Sequence, residues 1–284
     1  MKNIGFYNGT IAPIENLTMP VLDRAVYFGD GVYDALYMRG KKPFALNDHL
    51  DRFYSGLEKL EIPFQIPRDD LAGIFFEMIE RLDETSDGYT LYWQASRGTA
   101  FRNHLFPSVE QSKPNLFIMI TPRVIMPVDK TLKLITYPDI RYELCDIKTL
   151  NLLPSVLASQ RASEKGCDEV AFHRNGTVTE CAHNNISILK DGVYRTHPLT
   201  NHILPGTTRK HLILHCGELG IPVDETAFTV EEMFAADEII VTSVGTLCNP
   251  VIEIDGKPVG GKAPELLKKL QTAYWERMLR ETSK

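Results

Sequence analysis

The stretch Ile147-Lys148-Thr149-Leu150-Asn151-Leu152-Leu153 sets a single lysine among aliphatic side chains. An ammonium deprived of water favours its neutral, nucleophilic form, so a lysine in such company is a candidate to form a Schiff base with a carbonyl compound. A lysine at the end of a strand or in the first turn of a helix can instead snorkel, laying its stem on apolar surface and its charge in water. The stretch alone leaves both readings open, and the rest of the chain decides between them.

The chain has 284 residues, enough for two moderate domains with buried cores. Hydrophobic residues make up 43% and charged residues 24%, the proportions of a soluble globular protein. The net charge of -6, with no dense Lys/Arg run, argues against a nucleic-acid partner and leaves room for small anionic ligands where cations are concentrated locally. The start, Met1-Lys2-Asn3-Ile4-Gly5-Phe6-Tyr7, lacks the apolar core of a signal peptide, and no stretch is long enough to cross a bilayer. The expectation is a cytoplasmic protein without a membrane partner. Cys145, Cys167, Cys181, Cys216 and Cys248 have no paired spacing, so neither a metal site nor a disulfide framework is expected. A nucleophilic Cys145 would need a histidine and an acid partner, which the sequence does not identify.

Alternation and turn residues place a hairpin over Gly5 to Pro13, turned at Asn8-Gly9, and an extended run from Val32 to Met38. Asn47 reads as the N-cap of a helix whose apolar stripe is Leu50, Phe53, Leu57 and Leu60, with Arg52 off the stripe. A second helix over 69–82 and strands over 89–96 and 116–121 complete a small N-terminal α/β domain, residues 1–121. Pro122 and Pro127 mark a linker over 122–131. The larger domain, 132–284, carries a strand over 132–136, a helix over 153–165 stopped at Gly166, and a hairpin turned at Asn175-Gly176. Strands over 185–189 and 192–196 follow, then a helix opened by Thr207-Thr208 and closed by Gly220. Strands over 238–242 and 251–254 precede a final helix from about Pro264. The class is α+β.

Three motifs stand in a telling order: D-I-K-T-L-N-L-L around Lys148, G-T-V-T-E ending at Glu180, and L-P-G-T-T-R from Leu204 to Arg209. The N-terminal half adds F-G-D-G-V-Y (Phe28 to Tyr33), H-L-D-R-F (His49 to Phe53) and R-G-T-A-F-R-N-H (Arg97 to His104). Over its whole length the chain resembles the fold type IV pyridoxal-phosphate enzymes, and within them the D-amino acid aminotransferases. The resemblance implies a two-domain fold whose larger domain has a β-barrel-like core, with pyridoxal 5'-phosphate as cofactor.

By the same resemblance, Lys148 holds the cofactor as a Schiff base and shuttles the proton that transamination moves. Glu180 pairs with the pyridine nitrogen and keeps it protonated. The turn carrying Leu204, Gly206, Thr207 and Thr208 grips the phosphate, as a helix N-terminus with backbone donors and hydroxyls can, with Arg52 and Ser243 as further partners. Without that resemblance Glu180 reads as a surface carboxylate, Arg52 as a solvated helix charge, and the two threonines as helix caps. Tyr33, Arg102 and His104 match the residues that trap the substrate carboxylate, the last two reaching from a neighbouring subunit, which implies a homodimer.

The implied reaction is ping-pong transamination of D-amino acids through pyridoxamine phosphate, with 2-oxoglutarate or pyruvate as acceptor. Branched-chain L-amino acid aminotransferases and aminodeoxychorismate lyases share the fold and remain alternatives, as does a silent relative that kept only the fold. Two positions depart from the D-specific pattern: Val244 where a hydroxyl can stand, and Cys181-Ala182-His183-Asn184 where a serine-rich run can stand. His183 reads as a hydrogen-bonded core residue rather than a tuner of the cofactor.

Overall fold

The computed structural model describes residues 3–83 and 86–283, so Met1 and Lys2 of the N-terminal reading lie outside the described residues. The chain divides into two compact units. The first falls within Met1–Ile125, Ile147–Asn151 and Glu281–Lys284, the second within Met126–Asp146 and Leu152–Arg280. Ile147–Asn151 of the lysine stretch therefore belongs to the first unit, although more than twenty positions separate it from that unit's main segment, while Leu152 and Leu153 fall in the second.

The first unit is an antiparallel sheet of six strands, β1 (Ile4–Tyr7), β2 (Thr10–Ala12), β3 (Gly31–Arg39), β4 (Lys42–Pro43), β5 (Gly88–Ser96) and β6 (Asn115–Pro122), in the order β2-β1-β6-β5-β3-β4. Asn8 and Gly9 turn the first hairpin with φ of 44° and 95°, the left-handed pair that a two-residue hairpin demands. Along β3 the period of two sends Val32, Asp34, Leu36 and Met38 into the core and leaves Tyr33 and Ala35 half-buried on the opposite face. That alternation explains a fully buried carboxylate at Asp34.

Helices α1 (Arg24–Phe28), α2 (Leu46–Lys59) and α3 (Arg68–Glu80) complete the unit. The α2 stripe buries Leu50, Phe53 and Leu57 as its period requires. Asn47 is not its cap. The helix starts two residues earlier, after Ala45 in the left-handed region, and Asn47 instead accepts hydrogen bonds from Arg68 through its backbone and side-chain oxygens.

The lysine stretch runs beside β3. Tyr33 N donates to Lys148 O at 2.9 Å, Leu150 N to Gly31 O at 3.1 Å, and Val32 bridges Thr149. Gly31 makes this approach possible, since a Cβ there would stand 2.5 Å from Ala95 O and 2.7 Å from Leu150 Cδ1. Ile147 inserts into the apolar core of this unit.

The second unit carries β7 (Leu132–Pro138), β8 (Glu169–Arg174), β9 (Thr177–Val178), β10 (Asn185–Lys190), β11 (Val193–Thr196), β12 (Val223–Asp224), β13 (Glu238–Thr242), β14 (Asn249–Ile254) and β15 (Lys257–Pro258). They form one sheet in the order β12-β11-β10-β13-β14-β7-β8-β9, with β15 on β14, and the sheet curls into a half-barrel. The pairs β14–β7, β7–β8 and β11–β12 are parallel, and the others antiparallel. Leu134, Val178, Ile188, Ile239, Val241 and Ile254 fill its core.

Helices α4 (Leu153–Glu164), α5 (Thr207–Glu218), α6 (Val230–Ala235) and α7 (Pro264–Thr282) flank the strands in sequence. The fold is α+β, as its sequence implies. Among the described residues no helix is long and apolar enough to cross a membrane, and no cluster of His, Cys, Asp and Glu could hold a metal ion.

Candidate active site

Lys148 is half-buried, and its Nζ donates to the Tyr33 hydroxyl at 3.2 Å while lying 4.3 Å from the centre of that ring. Tyr33 in turn stacks on Tyr92, with ring centres 5.4 Å apart. The company of the lysine is thus aromatic. Of its apolar sequence neighbours Ile147 is buried, but Leu152 and Leu153 are exposed.

On the other face of β3, Asp34 is closed off from solvent and takes both Nε and Nη2 of Arg52 at 2.8 Å, with His49 Nδ1 also at 2.8 Å. Burial pushes the Asp34 carboxyl up, but Arg52 and then His49 outweigh it and hold the group well below the usual carboxylate range. Burial likewise draws His49 down against the pull of Asp34, and Asp34 raises Arg52. The result is a guanidinium fixed in its plane by two parallel hydrogen bonds. Arg52 is therefore not a solvated helix charge.

The remaining N-terminal candidates lie on an exposed loop. Arg102 and His104 are both solvent-accessible, and both pack against Phe28, whose ring centre is 5.2 Å from the Arg102 guanidinium carbon and 5.1 Å from the His104 ring centre.

In the second unit Glu180 is buried rather than a surface carboxylate. Its Oε1 accepts from Arg141 Nη1 at 2.5 Å, and its Oε2 from Asn185 Nδ2 at 2.8 Å and from Leu204 N at 3.0 Å. Arg141 is itself anchored by two bonds from Nε and Nη2 to Asp139, each 2.9 Å, and its guanidinium carbon lies 4.7 Å from the centre of the Phe172 ring. Burial lowers the Arg141 pKa, but the two acids reverse that and raise it, keeping the cation charged. Glu180 thus has a fixed place and a fixed charge environment.

Leu204 leads into the turn before α5. Its carbonyl accepts from Asn185 Nδ2 at 3.0 Å, and a Cβ on Gly206 would fall 1.9 Å from Asn185 Oδ1. A Cβ there would force the Asn185 amide, held by its bonds to Glu180 and Leu204, to shift. Gly206, not a threonine, is the N-cap of α5 and supplies no side-chain cap, while Thr207 and Thr208 are buried in the first turn. The threonines are thus not caps. Thr208 Oγ1 accepts from the hydroxyl of Tyr274 on α7 at 3.2 Å. The Ser243 hydroxyl lies 2.9 Å from Thr246 Oγ1 and accepts from the Gly245 and Thr246 amides, each at 3.2 Å.

His183 differs from expectation. Its side chain is 63% exposed, and its Nδ1 meets buried Glu169 at 3.0 Å, so it is not a core residue. Glu169 also accepts from Ala182 N and Asn184 Nδ2, and Asn184 Oδ1 accepts from Thr246 Oγ1. The departure at Ala182 to Asn184 is thus organised by one buried acid. Cys145 is disqualified as a nucleophile at neutral pH, since burial pushes its thiol up to about 11.

Asp34, His49 as a partner of Asp34, Arg141, Asn185 and Glu169 escaped the sequence reading. Strand alternation beside Tyr33 could have flagged Asp34, and helical spacing could have paired His49 with Arg52. Arg141 has no local signal.

Each unit taken by itself offers groups of the kind an electron-accepting pyridine ring with a phosphate requires: the first a half-buried amine and a fixed guanidinium, the second a buried carboxylate with its donors and a helix start without an acidic first turn. The model of the class IV aminotransferases matches residues 31–254, and the chain belongs to this family, whose cofactor is pyridoxal phosphate. It is a transaminase.

A D-alanine aminotransferase of Staphylococcus haemolyticus is 35% identical over 272 residues, 95% of each chain. Among solved structures, the branched-chain amino acid aminotransferase of Escherichia coli superposes with a TM-score of 0.88 at 23% identity, covering 99% of this chain and 96% of that one. A putative 4-amino-4-deoxychorismate lyase of Legionella pneumophila gives a TM-score of 0.84 at 22% identity, over 93% and 97%. These two likenesses speak to the fold alone.

Proposed function

We propose that the chain transfers the amino group of D-amino acids to a 2-oxo acid, 2-oxoglutarate or pyruvate, by a ping-pong sequence, and that it works as a cytoplasmic homodimer. The observation that carries the substrate reading is the exposed Arg102 and His104 pair, a bidentate cation and an imidazole presented together for a carboxylate. The D-alanine aminotransferase similarity supports it over the branched-chain and lyase readings. Exposed Phe101, Leu105 and Phe106 around the same pair, and exposed Leu153, Val156 and Leu157 on α4, suit burial against a second copy.

Bound pyridoxal phosphate supplies the electron sink that stabilises negative charge at the substrate Cα. Lys148 would hold the cofactor and carry the proton at Nζ, with the Tyr33 hydroxyl holding that amine in place. Glu180 holds a negative charge for the pyridine nitrogen, and Arg141 and Asn185 keep its carboxylate from turning away. Gly206, Thr207, Thr208 and Ser243, and Arg52 from the first unit, would hold the phosphate, with Leu204 N fixing Glu180 at the start of that turn. Handedness follows from where the carboxylate is anchored. With Cα–H facing Lys148, the two enantiomers exchange carboxylate and side chain, so Arg102, His104 and Tyr33 select one of them.

The test is the first half-reaction, followed spectrally as the cofactor takes up the amino group from a panel of D- and L-amino acids. The expected result is conversion by D-alanine, D-glutamate or D-aspartate well ahead of their L forms. Faster conversion by L-leucine or L-valine would move the reading to the branched-chain enzymes, and pyruvate elimination from aminodeoxychorismate would move it to the lyases.

A further inference from the structure

The loop that presents Arg102 and His104 is itself exposed, yet it rests on a buried foundation. Arg24, only 3% exposed, donates through Nη1 to Asn103 O at 2.7 Å and to Leu105 O at 3.4 Å, the carbonyls on either side of His104. Its Nε is held by Asp30 at 2.7 Å, and the same carboxylate takes Nε of buried Arg97 at 2.9 Å. Arg97 continues the clamp, since its guanidinium carbon sits 3.6 Å from the centre of the Phe106 ring while its two terminal nitrogens donate to Glu61 O and Leu60 O.

Phe28 stands at the centre of the arrangement. Its ring lies 4.8 Å from the guanidinium carbon of Arg24 and 5.2 Å from that of Arg102, with the His104 ring centre 5.1 Å away. The ring is fixed in turn. It ends the five-residue helix α1, capped by Asp23 accepting from Ala25 N at one end and closed by Gly29 in the left-handed region at the other. Asp23 is locked by Asn115 Nδ2 at 2.7 Å.

An exposed arginine loses much rotamer freedom when it grips a ligand, and a face that already confines its guanidinium removes part of that loss. We infer that Phe28, with Arg24 holding the loop carbonyls, is the positioning residue that presets Arg102 and His104 for the substrate carboxylate. The inference rests on the reading of Arg102 and His104 as carboxylate anchors. Because that contact is the same before and during proton transfer, its loss raises KM and leaves kcat in place.

The experiment compares the purified holoenzyme with Phe28→Leu, Phe28→Tyr, Arg102→Ala and the Phe28→Leu/Arg102→Ala double variant, using D-alanine as donor. Phe28 is only half-buried, and the melting temperature of each variant checks that the fold is intact. Loss of the ring in Phe28→Leu should raise KM about five-fold with kcat little changed, while Phe28→Tyr, which keeps the ring, stays near the parent. Arg102→Ala should raise KM about thirty-fold, and the double variant should fall well short of the product of the two single effects, since the ring acts on the carboxylate only through Arg102 and His104. A parental KM in Phe28→Leu beside a raised one in Arg102→Ala overturns the inference and spares the anchor reading, as do effects that multiply in the double variant. A parental KM in Arg102→Ala overturns the anchor reading and the inference together.

Discussion

Lys148 and Glu180 are held in opposite ways. The lysine is half-buried, with a hydroxyl 3.2 Å from its Nζ and an aromatic face beneath it, whereas the glutamate is buried and receives a guanidinium, an amide and a backbone N–H. A group that must bond, release and carry protons needs a single reversible partner. A counter-charge must not move, and three donors on two oxygens see to that. The contrast separates the mobile part of the proposed chemistry from its fixed part, and each side can be challenged.

The larger effect is expected on the fixed side. Glu180→Gln keeps the shape but removes the charge, leaving Arg141 without one of its two acids, so turnover should fall about 100-fold. Cofactor affinity should change much less, because the residues proposed to hold the phosphate are untouched. Single-turnover kinetics with Cα-deuterated D-alanine checks this, and an unchanged rate of deuteron loss would make Glu180 a structural residue.

A smaller effect concerns Asp34, the acid on the face of β3 opposite Tyr33. Its folded pKa lies below the unfolded value of about 3.9, so the native state stays ionised where the unfolded chain begins to bind protons. Its contribution to stability is complete above that value and drains away as pH falls below it. Asp34→Asn should melt lower at neutral pH, with Arg52 left uncompensated, yet lose less of its melting temperature than the parent between about pH 5 and pH 3. An equally steep acid limb in both proteins would assign acid sensitivity to other carboxylates.

The fold was largely legible because its signals are local. Hairpin turns at Asn8-Gly9 and Asn175-Gly176, the stripe of α2 and the glycine after α4 each declare themselves within a few residues. Asn47 misled because a left-handed Ala45 starts the helix, a conformation that side-chain preference does not announce. Short elements such as α1 and α6 went unread for want of periodicity, although Thr229 and Glu232 form a capping box at α6.

The candidate site was legible where motifs carry it and opaque where it depends on long-range pairing. Arg141 reaches Glu180 from 39 positions away, Asn185 meets Gly206 across a turn, and buried Glu169 organises Ala182 to Asn184. Nothing in local sequence encodes such distances. The aliphatic surroundings that first marked Lys148 were in part misleading, since Leu152 and Leu153 are exposed and a tyrosine supplies the contact.

The most direct measurement is the identity of the lysine that carries the cofactor. The holoenzyme is reduced with borohydride, digested, and the pyridoxyl-labelled peptide sequenced by mass spectrometry. The label should fall on Lys148 and disappear from Lys148→Ala, even where that variant still retains cofactor through the residues proposed to hold its phosphate. A label on any other lysine in the parent protein would contradict the assignment from which the rest of the site is built.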